Sequence, residues 1–154
     1  MIERRWAMHE ACHAVLAKLL GLKIVSCHMG SVGSRNGMLP HCLLGLEVDD
    51  GAEPTKEQLR AGVIAAIGPM AVYGLMADSS DYDIKMALKW AEQAVGLGMA
   101  NKFVAAQILV ARQMIRENIH IIKDVTEKLQ ADEEITDGQV QEMIDSAVAV
   151  GQPA

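Results

Sequence analysis

Residues 2–21 read IERRWAMHEACHAVLAKLLG. Ile2, Trp6, His9, His13, Leu16 and Leu20 recur there at steps of 4, 3, 4, 3 and 4. That is the spacing of one face of an α-helix, and Gly21 ends it. The stripe predicts a core-facing helix that carries two histidines inward. On such a helix residues four apart lie one above the other, so His9 and His13 can grip one cation. Glu10, about 100° further round, falls beside that cation and not on it. Two buried imidazoles would otherwise each need a separate polar partner, whereas one metal satisfies both.

Outward from this helix, Lys23 to Met29 and His41 to Val48 are short apolar segments flanking Gly30 to Gly37, which contains Asn36-Gly37. This pattern predicts a β-ribbon with a long loop. After the polar turn Asp49 to Pro54, Thr55 and Gln58 form a capping-box pattern opening a helix to about Ala77, which Gly68-Pro69 should bend or break. Ser80 is placed to cap a further helix over 81–96, with Asp81 and Asp83 at the positive end of its dipole. Val104, Ile108, Ala111, Ile115, Ile119, Ile122, Val125 and Leu129 then predict one amphipathic helix of about seven turns. Thr136 and Gln139 repeat the capping pattern before a last helix to about Val148, and residues 151–154 form a loose tail.

The composition agrees with a helical core. Of 154 residues 51% are hydrophobic but only 3% aromatic, so five rings share a core of aliphatic side chains and ten methionines. A chain of this length buries roughly 70% of its unfolded surface, enough for one core, and a single domain over residues 1–150 is expected. The net charge is −6, and the basic residues are scattered without a stripe to neutralise phosphates, which argues against nucleic-acid binding. The longest uncharged run, residues 61–77, contains three glycines and a proline and predicts a buried helix, not a membrane span. No apolar h-region follows the N-terminus, and Cys12, Cys27 and Cys42 are too few and odd in number for a disulfide framework. Free or metal-bound thiols in a reducing, cytoplasmic compartment are expected.

The residues therefore point to zinc and to hydrolysis. Zinc with three protein ligands keeps a water in its fourth position and lowers that water's pKa to about 7. Glu10 can take the proton and return it to a leaving amine. Candidates for the third ligand are His28, His41, Cys27, Cys42, Asp78, Asp81 and Asp83, and composition alone does not choose among them.

Residues 9–14, HEACHA, resemble the HEAGHA of the FtsH-type peptidase domain, an HExxH zinc protease module normally fused behind an AAA ATPase. Further stretches follow in order. TKEQL at 55–59 is similar to the family's TKEEL, and Ile67-Gly68 falls near its LGG. Asp83-Ile84 with Ala87 and Ala91 resembles its ND(I/L)xxAxxxA helix, and Gly98-Met99 its GM. Residues 115–118 resemble its LEEN, and 135–138 its LDG turn. The resemblance implies an FtsH-peptidase-like fold, mostly α with a small β-ribbon and an HExxH active-site helix. It implies a zinc metalloendopeptidase with His9, His13 and Asp83 on the metal and Glu10 as general acid and base. It also implies a polypeptide substrate and a ring-like homo-oligomer.

Three departures from that family stand out. Cys12 replaces a glycine and is read as a small buried residue. Val72 and Tyr73 stand where the family carries acids, which changes the support of the zinc histidines. No GxxxxGK(S/T) occurs, and only eight residues precede His9, so a stand-alone, ATP-independent domain without a membrane anchor is expected, acting on flexible or unfolded chains or with a separate ATPase. The competing expectations are a non-enzymatic zinc-containing adaptor and a narrow-specificity regulatory protease. Cys27-His28 and His41-Cys42 suggest a second metal, but strand neighbours point to opposite faces, leaving two ligands per face, and ordinary strand residues are expected. His120 is expected at a surface or boundary position.

Overall fold

A computed structural model describes residues 3–30, 40–48, 51–73 and 77–151, with residues 72–73 and 77–80 described in backbone only. The expectations that rest on Ile2, on most of the ribbon loop, on the side chains of Val72, Tyr73, Asp78 and Ser80, and on residues 152–154 lie outside these.

The described chain is mostly helical, with one antiparallel two-stranded sheet. The helices are α1 (Arg4–Leu19), α2 (Lys56–Tyr73), α3 (Ala77–Val95), α4 (Ala100–Glu117), α5 (Ile119–Asp132) and α6 (Asp137–Ala149), and the strands are β1 (Ile24–His28) and β2 (His41–Leu44). Both capping boxes form as expected. Gln58 N donates to Thr55 Oγ1 at 3.1 Å while Thr55 N donates to Gln58 Oε1 at 2.8 Å. Thr136 and Gln139 repeat the exchange at 3.2 and 2.9 Å.

α1 is the axis of the fold. It packs against α2 on one side and against α5, α6 and the ribbon on others, while α2 in turn packs on α3 and α4. The predicted one-sided stripe is therefore an underestimate: Ala7 and every residue from His9 to Ala17 are buried. Alanines at 7, 11, 14 and 17 make this all-round enclosure feasible, because small side chains let neighbouring backbones approach. Gly68 serves the same end on α2, since a Cβ there would collide with Leu16 Cδ1 of α1. At Gly62 a Cβ would lie 2.8 Å from Trp90 Cε3, so the buried indole of α3 rests directly on the α2 backbone.

At Pro69, where a bend or a break is expected, α2 is not broken. Two boundaries differ from the sequence reading. α3 begins at Ala77, so Ser80 lies within the helix and Asp83 sits in its second turn, not at the third position after a cap. The expected seven-turn helix is two helices, divided at Asn118. Asn118 has φ −121° and ψ 19°, is buried, and its Nδ2 donates to the Met114 carbonyl at 2.8 Å. Its amide side chain thus competes with the backbone for a helical carbonyl. The interruption redirects the chain: α4 packs mainly on α2 and α3, and α5 on α1.

β1 pairs with β2 with Cys27 opposite Cys42 and His28 opposite His41, and a register shift lies between Ile24 and Ser26. The other edge of β1 is also occupied. Met29 N donates to Glu133 O at 2.8 Å and Ile135 N to Cys27 O at 3.0 Å. Among the described residues no segment pairs with the outer edge of β2.

Candidate metal centre

Three side chains from two helices meet at one point. His9 and His13 project from α1, and Asp83 reaches them from α3 across 74 and 70 residues of sequence. Asp83 belongs to the inner stripe of α3, whose later members Ala87, Trp90, Ala91 and Ala94 are buried. Because Trp90 stands seven residues, or two turns, after Asp83, the seating of Trp90 on Gly62 also turns Asp83 inward.

The distances are nearly equal. His9 Nε2 lies 3.1 Å and His13 Nε2 3.2 Å from Asp83 Oδ2, and the two Nε2 atoms are 3.1 Å apart. The rings meet edge to face, with centroids 4.7 Å apart and planes at 79°. The side chains of His9, His13 and Asp83 are only 2%, 7% and 15% exposed, so solvent does little to screen their mutual interaction. A triangle of two imidazole nitrogens and one carboxylate oxygen at this spacing can hold a metal ion. Among the described residues no other group of three or more His, Cys, Asp or Glu side chains converges in this way.

The remaining ring nitrogen of His13 is also fixed. Nδ1 stands 2.7 Å from the carbonyl oxygen of Ala65 on α2. A carbonyl only accepts, so Nδ1 carries the hydrogen and Nε2 faces the carboxylate. Burial would push His13 down, but the Asp83 charge and hydrogen bond raise it well above the ordinary histidine range. Burial would likewise raise Asp83, yet the His13 charge and the hydrogen bonds from both imidazoles hold it well below the usual carboxylate range. His9 moves the other way, because its desolvation outweighs its hydrogen bond to Asp83.

Glu10 is buried on α1 next to this cluster. Desolvation pushes its carboxyl up to about 7, with the His13 charge opposing and the Asp83 and Glu47 charges adding. A carboxyl that titrates near neutrality can both take up and give back a proton. Cys12, one turn from His9 and fully buried, has its thiol pushed up to about 12, chiefly by burial and further by Glu10. It is a packing residue, as its position in the sequence suggests.

The other candidates fall elsewhere. Asp81 is exposed, and the Asp78 side chain is not described. Cys27 and Cys42 face each other, as do His28 and His41, whose ring centroids are 4.0 Å apart, so each face of the ribbon has two potential ligands, and among the described residues no third joins them. All three cysteines are free. His120 is half-buried, as expected for a boundary residue.

Three contributors escaped the sequence reading. The Ala65 carbonyl is invisible to any search over side chains. Glu47 accepts from Leu44 N at 2.7 Å and from the Tyr82 hydroxyl at 2.9 Å, tying the end of the ribbon to α3 beside Asp83. That pair joins segments 35 residues apart and leaves no periodic signal. No described helix is long and apolar enough to cross a membrane. The chain matches no protein-family model and no curated protein.

Proposed function

We propose that this domain is a zinc-dependent endopeptidase, similar to the protease domain of FtsH, that cleaves flexible or unfolded polypeptides. The observation that carries the reading is the convergence of His9, His13 and Asp83 with a buried, near-neutral Glu10 beside them. Zinc bonds of about 2.0–2.2 Å to nitrogen and oxygen in tetrahedral geometry set donor atoms about 3.3–3.6 Å apart. The 3.1–3.2 Å triangle is close to this and needs only a slight opening. Two histidines and one carboxylate leave a fourth position open, as a catalytic site requires and a closed structural site does not.

His9 and His13 would bind through Nε2 and Asp83 through Oδ2. Zinc in such a site supplies Lewis acidity toward a scissile carbonyl and toward water. The Glu10 carboxylate then accepts a proton from the attacking water and delivers it to the departing amide nitrogen. Its burial keeps bulk water from competing for that proton and sets its affinity for protons near neutrality. Glu47 and Tyr82 hold the ribbon against the start of α3, and the outer edge of β2 offers backbone groups to an extended substrate. The 154 residues carry no P-loop pattern of their own, and flexible or unfolded chains are the substrates that can be cleaved without an unfolding ATPase.

The test combines metal analysis with cleavage of casein and of short flexible peptides, before and after chelation. The protein is expected to carry about one zinc per chain and to lose cleavage on chelation. Glu10→Gln keeps its zinc and fold while cleaving at least about a hundredfold more slowly, the lower range for loss of a positioned general base. Equal rates for the two proteins would overturn the role of Glu10. Full zinc retention by both His9→Ala and His13→Ala would remove the metal site.

A further inference from the structure

Pro69 stands in the interior of α2, where proline is disfavoured because it has no amide hydrogen for the carbonyl four residues back. Here that carbonyl belongs to Ala65, the same group that faces His13 Nδ1 at 2.7 Å. Ala65 is fully buried, so water cannot replace the missing helical donor. The neighbouring Gly68 brings the two helices close enough for the contact. Its missing Cβ leaves room for Leu16, which lies one turn beyond His13 on α1.

We propose that Pro69 is a positioning residue for the metal centre: by withholding a backbone N–H it leaves the Ala65 carbonyl to bind His13 Nδ1–H, which directs His13 Nε2 toward His9 and Asp83. The inference rests on the metal reading given above and adds an origin for the outer support of one ligand. Histidines that bind metals usually donate their second ring N–H to a carboxylate, a carbonyl or water, and that bond fixes tautomer and ring orientation. In this chain a helix carbonyl takes that part, released by the proline four residues further along α2. A proline placed one residue earlier or later would release the carbonyl of Ile64 or Ala66, which point about 100° away around the helix.

Pro69→Ala and Pro69→Gly both restore an N–H at position 69, the first in a strong helix former and the second in a weak one. Two measurements follow on each folded protein. One is the Nδ1–H of His13, read from long-range proton–nitrogen correlations of the 15N-labelled protein, with and without zinc. The other is the zinc Kd from competition with a chelator. In the wild-type protein His13 should show a slowly exchanging Nδ1–H in both states. In both variants that signal should be lost to exchange, and zinc should bind about tenfold or more weakly, the scale known for outer-shell partners of metal ligands. An unchanged Nδ1–H signal together with a zinc Kd within about twofold of wild type in both variants would overturn the proposal. If the wild-type protein binds no zinc, the metal reading fails on its own account, and the Nδ1–H signal of the metal-free proteins still decides the role of Pro69.

Discussion

Asp81 and Asp83 sit two residues apart on α3 and have opposite surroundings. Successive helical positions are about 100° apart, so two residues differ by about 200° and cannot share a face. Asp83 turns inward, 15% exposed, and meets both imidazoles, while Asp81 is exposed. Asp83→Asn should therefore lower zinc affinity by at least about tenfold, because a neutral amide oxygen replaces an anionic ligand, whereas Asp81→Asn should stay within about twofold of wild type. Metal titration of the two variants checks this, and the reverse ranking would overturn Asp83 as the third ligand. The same logic separates Glu10 from the candidate ligands, since it follows His9 by one position on α1 and is not one of the three converging groups.

The first residue of α6 acts on elements far from it in sequence. Asp137 Oδ1 accepts from the Ile24 amide at 2.8 Å and Oδ2 from Lys18 Nζ at 3.2 Å, so one carboxylate joins the start of α6 to β1 and to the end of α1. Partial burial alone would raise this carboxyl. The hydrogen bond from Ile24 and the Lys18 ammonium more than reverse that and hold it below the usual range. A carboxyl depressed in the folded state adds stability that is fully present above its unfolded pKa of about 3.9 and is lost as pH falls through the folded value. Asp137→Asn should cost about 1 kcal/mol at pH 6, a modest figure because the group is one-third exposed. The gap between variant and wild type should shrink below about pH 4. Urea unfolding at several pH values measures this, and a gap that is constant down to pH 2 would remove the ionic contribution.

At the scale of the molecule, the candidate metal centre joins α1, at the axis of the fold, to α3, which reaches that axis mainly through α2. A cation held by both helices would bind the folded chain and not the unfolded one. At a free concentration about a thousandfold above Kd it would add about 4 kcal/mol to stability. For a chain of this size each kcal/mol moves Tm by about 2–4 °C. Chelation should accordingly lower Tm by roughly 10 °C in the wild-type protein and leave His9→Ala unmoved, by scanning calorimetry. Equal melting of chelated and zinc-loaded wild-type protein would show that the helices are held by packing alone. The core gives packing a large share in any case. Trp90 on Gly62 and Leu16 on Gly68 already lock α2 between its neighbours, and Arg112 Nε donates to the Ala71 carbonyl at 3.0 Å, linking α4 to α2.

Periodicity and capping residues, which act within a turn or two of the chain, made the helical class, the ribbon and both capping boxes legible in the sequence, along with the pairing of His9 with His13. The i, i+4 spacing is a local property and needs no partner element. The choice of Asp83 over the other ligand candidates rested on a family resemblance, and its geometry required tertiary structure, because 70 residues separate it from His13. Tertiary packing also decided what local signals misjudged. The division at Asn118 sends α4 onto α2 and α3 and α5 onto α1, and α1 is enclosed on all sides because α2, α5, α6 and the ribbon all pack on it. Pro69, where the sequence predicts a bend or a break, stays within a continuous α2. The carbonyl it leaves without a helical donor is satisfied by a side chain on another helix, a partner that only the folded chain brings into reach.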